Sequence, residues 1–244
     1  MIAQTKAELL KLRSTRTTIG IVLGMIALIV LFSLLSGLLT KTRDLTGVED
    51  QRGLLSVGSL AGVFSALAGI MLITSEYRHG TIRPTFLFTP RRSRVLSAKL
   101  VAGLLSGLVF GLVGEGVGFA IGYVCLSARG VPFALDGSQL ALLLFGTFAS
   151  VALWGALGVG LGAIVRSQVG GIIGLLVWGF VIENLLFGFV PSVGRFGPVH
   201  AGDAFIGLTD RHLLSAAGGG AILVVWTAAL AVAGAAIAAR RDVN

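Results

Sequence analysis

The residues best suited to chemistry are two carboxylic acids inside apolar stretches of the chain. Glu115 lies among regularly spaced glycines, and Glu183 is followed by Asn184. An ionisable side chain in hydrocarbon is costly unless it faces protein or water, so such a residue marks a polar contact within a membrane protein. Two roles are open to these acids: a hydrogen bond to a neighbouring helix, or the binding of a proton or a substrate.

The glycines around Glu115 fall on one face of a helix at about 100° per residue, with Glu115 at the edge of that face. They are Gly103, Gly107, Gly111, Gly114, Gly118 and Gly122. Small residues let membrane helices approach closely. The pattern therefore predicts a closely packed helix whose Glu115 points to protein or to a polar cavity.

Glu183 and Asn184 lie between Phe180 and Phe187, at i, i+3, i+4 and i+7 of a helix. This spacing places all four on one side, as an aromatic face with a polar centre in the outer third of the membrane. Such a face can contact a substrate, although packing alone also accounts for aromatic residues in a span.

Other chemistry is poorly supported by the sequence. Three His, one Cys and no cluster at ligand spacing give no case for a metal site or an intrachain disulfide. The chain has no phosphate-binding loop, so it cannot use ATP by itself. A rhomboid-type protease would need a Gly-x-Ser-Gly setting and a His on another span, and neither is present. We expect no catalytic residue.

The elements that must position these residues follow from hydropathy. The chain is 55% hydrophobic and 12% charged, whereas soluble domains carry about 25% charged residues. Six apolar blocks reach the roughly 20 residues that cross a bilayer as helix. We place them at 18–39, 54–74, 95–126, 140–165, 169–190 and 216–239. The sequence predicts an all-α polytopic membrane protein that forms a single transmembrane domain over 1–244.

Orientation follows from the basic residues. If the N-terminus is cytoplasmic, 13 of the 19 Lys and Arg fall in inner segments and six in outer ones. This distribution obeys the positive-inside rule and predicts that both termini are cytoplasmic. The same distribution accounts for the net positive charge of the chain, so that charge does not indicate nucleic-acid binding.

The first 16 residues form a basic segment with a polar stripe. Its polar side chains recur at helical spacing and oppose Ile2, Ala7 and Leu10. They are Gln4, Glu8, Lys11 and Thr15. The pattern predicts an amphipathic helix over 1–16 in the headgroup region. A solvated basic tail is the alternative.

The predicted cytoplasmic loop at 75–94 is too long and too basic for a minimal turn. Its polar ends flank the apolar run Phe86, Leu87 and Phe88. The middle could seat bulky side chains in another protein, or the loop could simply anchor two spans at the cytoplasmic surface.

One motif in this region favours the first interpretation. An acidic residue is followed four positions later by Gly-Thr, then by a Pro near the next span and a Lys just inside it: Glu76, Gly80, Thr81, Pro90 and Lys99. The motif resembles the membrane subunits of ABC exporters of the second permease class, which include drug and antibiotic exporters with a type V-like fold. The six-span layout and the basic N-terminal helix are also similar to that family.

The resemblance implies that the loop is a coupling helix, which binds a separate ATP-binding subunit. The implied coupling residues are Glu76, Tyr77, Gly80, Thr81, Arg83, Phe86, Phe88, Pro90 and Arg91. ATP and Mg²⁺ would be bound by that subunit, present in two copies, and two permease copies would form the path, as a homodimer or as a related pair. The segment at 191–215 would be extracellular or re-entrant.

In the resembled family, spans two and five line the substrate path. The implied contacts here are Phe64, Phe180, Glu183, Asn184 and Phe187. A glycine-rich cavity with phenylalanines suits an amphiphilic small molecule, peptide or lipid. Scarce Lys beside abundant Arg is typical of a high-GC bacterial gene, which predicts a bacterial inner membrane. The principal alternative is an ion-coupled secondary transporter or channel that uses Glu115 and Glu183.

Overall fold

Six stretches of helix in the described part of the chain are long and apolar enough to cross a membrane. The computed structural model describes residues 2–78, 80 and 92–240. The spans, numbered one to six, are Arg16–Leu39, Val48–Arg78, Arg94–Ala128, Gly137–Val165, Gln168–Phe189 and Ala216–Ala238. The predicted all-helical, six-span architecture is confirmed, and it indicates a multi-pass membrane protein. The sidedness of the termini stays a prediction.

The helices do not map one to one onto the spans. In chain order they are α1 (Ile2–Ser14), α2 (Arg16–Leu39), α3 (Val48–Leu55), α4 (Ala61–Arg78), α5 (Arg92–Ala128), α6 (Gly137–Val165), α7 (Gln168–Val177), α8 (Glu183–Phe189), α9 (Pro191–Gly194), α10 (Pro198–Phe205) and α11 (Ala216–Arg240). Span two joins α3 to α4 through a 3₁₀ segment, Ser56–Leu60, and span five joins α7 to α8 through a π-helical turn, Trp178–Ile182. A further 3₁₀ turn, Asp44–Thr46, lies in the loop after α2.

The core is built around α6, which packs against α4, α5 and α11. Glycine makes this packing possible, because a Cβ on Gly155 of α6 would overlap the Gly103 carbonyl oxygen of α5. The predicted glycine face of span three is therefore confirmed as a close contact. Its first half faces α6, whereas Gly114 and Gly118 lie against Gly58 and its neighbours in span two.

The N-terminal segment is helical, as predicted, and both polar and apolar residues of α1 contact the bundle. Thr5 and Glu8 are buried, whereas Leu10 is 63% exposed. Leu9 and Leu12 pack beside buried residues of α4 and α5, among them Leu72, Ile73 and Leu96. Of the polar stripe, Glu8 is buried because it pairs with Lys99 of α5, whereas Lys11 and Thr15 are exposed. The headgroup position of this helix stays a prediction.

The predicted loop at 75–94 is helical at both ends, since α4 continues to Arg78 and α5 begins at Arg92. Gly80 follows α4 with a φ of +68°, in the left-handed region that glycine adopts without strain just after a helix. The predicted coupling residues Thr81, Arg83, Phe86, Phe88, Pro90 and Arg91 lie outside the described residues.

The segment at 191–215 is not a plain loop, because it contains α9 and α10. A Cβ on Gly146 of α6 would overlap the Phe205 carbonyl at the end of α10, and Gly219 of α11 lies as close to the Ala201 carbonyl. Helix α10 is thus wedged between spans four and six, and most of its residues are buried. Whether this side is extracellular stays a prediction.

Candidate functional site

A buried lysine lies where α1, α4 and α5 meet. Lys99 of α5 is completely buried, and its Nζ donates to Glu8 Oε2 at 2.9 Å, to Glu76 Oε1 at 2.8 Å and to the Leu72 carbonyl at 2.9 Å. All three ammonium donors therefore have acceptors. Glu8 and Glu76 are themselves buried.

Lys11, on the surface of α1, joins Glu8, Glu76 and Lys99 in what we call the ion network. Its Nζ lies 2.8 Å from Glu76 Oε1 and 3.1 Å from Glu8 Oε1. Partial burial lowers the pKa of Lys11, but the hydrogen bond and charge of Glu76, helped by those of Glu8, outweigh burial and raise the pKa above its ordinary value. Two cations and two carboxylates balance, which is what makes a buried cluster of this kind tolerable.

The four residues of the ion network lie at both ends of the predicted cytoplasmic loop and in the N-terminal helix. Glu76 lies in the last turn of α4 and Lys99 in the second turn of α5, so they bracket the predicted cytoplasmic loop. Glu8 and Lys11 attach α1 to both. Both ends of the loop and the N-terminal helix are thereby joined through one buried point.

The end of span two also contacts the turn between spans four and five. The Arg166 guanidinium lies over the Tyr77 ring, 5.3 Å from its centre, and donates to the Ile237 carbonyl of α11 at 3.1 Å. Arg78 Nη1 lies 3.4 Å from Gln168 Oε1. A tight hairpin joins α6 to α7, and Arg166 closes it with a φ of +57°. Among the predicted coupling residues, Glu76 and Tyr77 thus connect α4 to the rest of the bundle.

A second polar region surrounds a cavity of about 280 Å³ between spans two, four and five and α10. Phe180 and Asn184 line it, as do Trp154 of α6 and Asp203 of α10. The π-helical turn shapes its wall, because Asn184 Nδ2 donates to the Gly179 carbonyl at 2.9 Å. π-Helical turns occur often at functional sites.

The remaining residues of the predicted substrate path lie elsewhere. Glu183 is fully buried, and its Oε1 accepts from the His200 backbone N–H at 2.8 Å and lies 3.2 Å from His200 Nδ1. Phe187 stacks on the same imidazole, with ring centres 4.0 Å apart. Phe64 packs with Met25 of span one and its neighbours. The structure thus brings Phe180 and Asn184 into the cavity, whereas Glu183 and Phe187 hold α10.

Asp203 is a site residue that sequence reasoning missed. Burial raises its pKa to about 6; the charge of His200 lowers it and that of Glu183 raises it. The signal was available, because His200 and Asp203 are one helical turn apart after Pro198, which is a common first residue of a helix. The sequence alone does not show that α10 enters the bundle, and it therefore predicts that these residues belong to a polar outer loop.

Glu115 is fully buried, and neither of its carboxyl oxygens has a hydrogen-bond partner among the described residues. Its backbone packs so closely on span two that a Cβ on Gly58 would overlap Glu115 Cα. The predicted direction toward protein is confirmed, but the hydrogen bond to a neighbouring helix is not among the contacts of the described chain.

Gln51 is a second residue that the sequence analysis overlooked. It is fully buried, its Nε2 donates to the Leu45 and Pro132 carbonyls at 3.0 and 2.8 Å, and its Oε1 accepts from Ala134 N–H at 2.8 Å. These bonds fasten the loop before span two to the loop after span three. The role is structural.

Within residues 2–78, 80 and 92–240, no group of three or more His, Cys, Asp or Glu could hold a metal ion. In comparisons with known proteins, no family model matches the chain and no curated protein matches its sequence.

Proposed function

We propose that this chain is the membrane permease subunit of an ATP-driven ABC exporter. The observation that carries the proposal is the ion network of Glu8, Lys11, Glu76 and Lys99, which joins both ends of the predicted coupling loop to the N-terminal helix. Glu76 and Lys99 are also the acidic and basic ends of the motif that resembles these permeases.

The ion network makes the loop ends move as one unit. Separating Lys99 from either carboxylate would leave an uncompensated charge in a buried place, which costs several kcal/mol. A partner that displaces the loop therefore displaces the ends of α4 and α5 together with α1. Rigid transmission of this kind is what a coupling element requires.

The same displacement reaches the other half of the bundle through the end of α4. Tyr77 contacts Arg166, which bonds to the last turn of α11, and Arg78 contacts Gln168 at the start of span five. A push on the loop is thereby shared among spans two to six.

The proposed complex contains two permease copies, as a homodimer, and two copies of an ATP-binding subunit that supplies ATP and Mg²⁺. This chain itself is not an enzyme. The complex lies in the inner membrane of a bacterium, with both termini of the permease in the cytoplasm, α1 in the headgroup region and the segment at 191–215 outside. Its cargo is an amphiphilic small molecule, peptide or lipid.

One observation favours the alternative, an ion-coupled secondary transporter or channel. Glu115 is buried with both oxygens unpartnered in the described chain, as expected of a group that takes up a proton. The second acid of that scheme is partly engaged, because Glu183 Oε1 accepts the His200 backbone N–H, while Oε2 has no hydrogen-bond partner in the described chain. The basic loop would also have no role.

Purification from the native membrane in mild detergent tests the proposal. We expect an ATPase subunit with a phosphate-binding loop to accompany the permease in stoichiometric amounts, with vanadate-sensitive ATP hydrolysis. A known ABC exporter purified in parallel controls for dissociation. A chain that comes alone and ATP-inert, while the control complex survives, contradicts the proposal.

A further inference from the structure

The cavity beside α10 has a composition that the coupling mechanism leaves unexplained. Its volume of about 280 Å³ is near the lower end of small-molecule sites, roughly 300–1,000 Å³. Most of its wall is apolar, with Trp154, Leu175 and Phe180 among the lining side chains. A mainly apolar wall with a few convergent polar groups is typical of a site that orients a small ligand.

The cavity holds one carboxylate, that of Asp203, and its other polar side chains are neutral: the Ser59 and Ser150 hydroxyls, the Asn184 amide and the Trp154 indole N–H. The Asp203 carboxylate, which is partly exposed, forms no hydrogen bond or ion pair with the described residues. The nearby imidazole of His200 is committed to Glu183. The Asn184 amide nitrogen is used by the π-helical turn, which leaves the amide oxygen as an acceptor.

The charge balance of the cavity selects a cation. No Lys or Arg is among the lining residues; behind Asp203 lie His200, whose charge lowers the pKa of Asp203, and Glu183, whose charge raises it. With its pKa near 6, Asp203 is mostly ionised at pH 7. An anion would be repelled, and a neutral apolar guest would leave a carboxylate desolvated without a partner, which is unfavourable.

The aromatic walls suit the same class of ligand. Trp154 and Phe180 both line the cavity. An ammonium group over an aromatic face gains about 0.5–2 kcal/mol, and Trp is the best ring for this contact.

We propose that the cavity binds an organic cation, a substituted ammonium with an apolar or aromatic body, with Asp203 as the counter-charge and Trp154 and Phe180 as walls. As a statement about cargo, this inference rests on the proposed function, and it narrows the amphiphilic cargo to cations. As a statement about binding, it concerns the chain alone.

Equilibrium dialysis of the purified full-length chain tests the site at pH 7.5. The probe is radiolabelled benzyltrimethylammonium, and its neutral carbon isostere neopentylbenzene serves as a competitor. We expect saturable binding of the cation, and at least tenfold weaker binding for Asp203→Asn. Asp210→Asn, which neutralises an exposed acid of the same segment, is the matched control and should bind as the parent protein does. Val63→Phe, which adds a ring at the cavity wall, should abolish binding.

Three results would overturn the inference: no saturable binding of the cation, equal binding by Asp203→Asn, or competition by neopentylbenzene as strong as that by the unlabelled cation. The last result is obtained on the parent protein, so it decides even if Asp203→Asn does not fold. Saturable, Asp203-dependent binding by a chain that comes without an ATPase would remove the proposed function and keep the site. An ATPase complex without such binding would keep the proposed function and remove the site.

Discussion

Replacing Lys99 with methionine should destabilise the fold much more than the same change at Lys11. Lys99 is completely buried and donates to two buried carboxylates and one carbonyl, whereas the Lys11 side chain is 55% exposed. Removing one partner of a buried ion pair costs about 3–5 kcal/mol. Because Lys11 still balances one carboxylate, we expect the low end, about 3 kcal/mol for Lys99→Met. For Lys11→Met we expect at most about 1 kcal/mol.

A second substitution separates charge balance from packing. In the double variant Lys99→Met/Glu76→Met, two apolar side chains replace the buried ion pair, and Glu8 keeps Lys11 as its partner. Such replacements are often neutral or stabilising. We therefore expect the double variant to recover at least about 2 kcal/mol relative to Lys99→Met, a coupling that a double-mutant cycle measures.

The only cysteine provides the assay. Cys125 is buried, so its thiol reacts with a maleimide chiefly when the bundle opens. The labelled fraction at increasing SDS in dodecyl maltoside micelles reports unfolding for each variant. Equal, small shifts for Lys99→Met and Lys11→Met would refute the reasoning, and so would a double variant that is less stable than Lys99→Met.

Three further predictions concern stability in SDS, followed by tryptophan fluorescence for the pH profile and by Cys125 labelling for the other two. Because burial raises the pKa of Asp203 to about 6 from about 3.9 in the unfolded chain, the folded state binds this proton more tightly. Stability should therefore fall by about 2 kcal/mol as pH rises from 4 to 7, and Asp203→Asn should lose that dependence; a parallel pH profile in both proteins contradicts it. Gly58→Ala should lower the free energy of unfolding by about 1–3 kcal/mol, because the added methyl group would overlap Glu115. Gly53→Ala should not destabilise the fold, because the space around Gly53 is open. Equal effects of the two substitutions would contradict the packing. Glu115→Met should stabilise by about 1–3 kcal/mol and leave transport intact, since two unpartnered oxygens disappear; loss of transport with normal folding would favour the ion-coupled alternative.

The spans were predictable because hydrophobic length is a local property. The predicted end of span one at residue 39 and the ends of span four at 140 and 165 lie within a few residues of the observed helices. Span two was predicted too short by six residues at its start, since Glu49, Asp50 and Arg52 of α3 made that stretch look like loop. Local polarity hid a helix that the rest of the fold supports.

The ion network was not predictable, although its members belong to separate patterns in the sequence. Glu8 belonged to the polar stripe, and Glu76 and Lys99 belonged to the loop motif. Their meeting depends on contacts across 91 and 23 residues of chain, which no helical periodicity encodes. For the same reason Glu183 was assigned to a substrate path, since its partner His200 lies on a helix that looked like an outer loop.

The most direct test of the central claim is a photocross-link from the predicted coupling loop in native membranes. A benzoylphenylalanine in place of Phe86 should cross-link to an ATP-binding subunit that carries a phosphate-binding loop. The same probe in place of Phe133, an exposed residue of the loop predicted on the opposite side, should not. A specific ATPase adduct from position 86 alone is the result that this account predicts. Adducts only with lipid, or the same adducts from both positions, would contradict it.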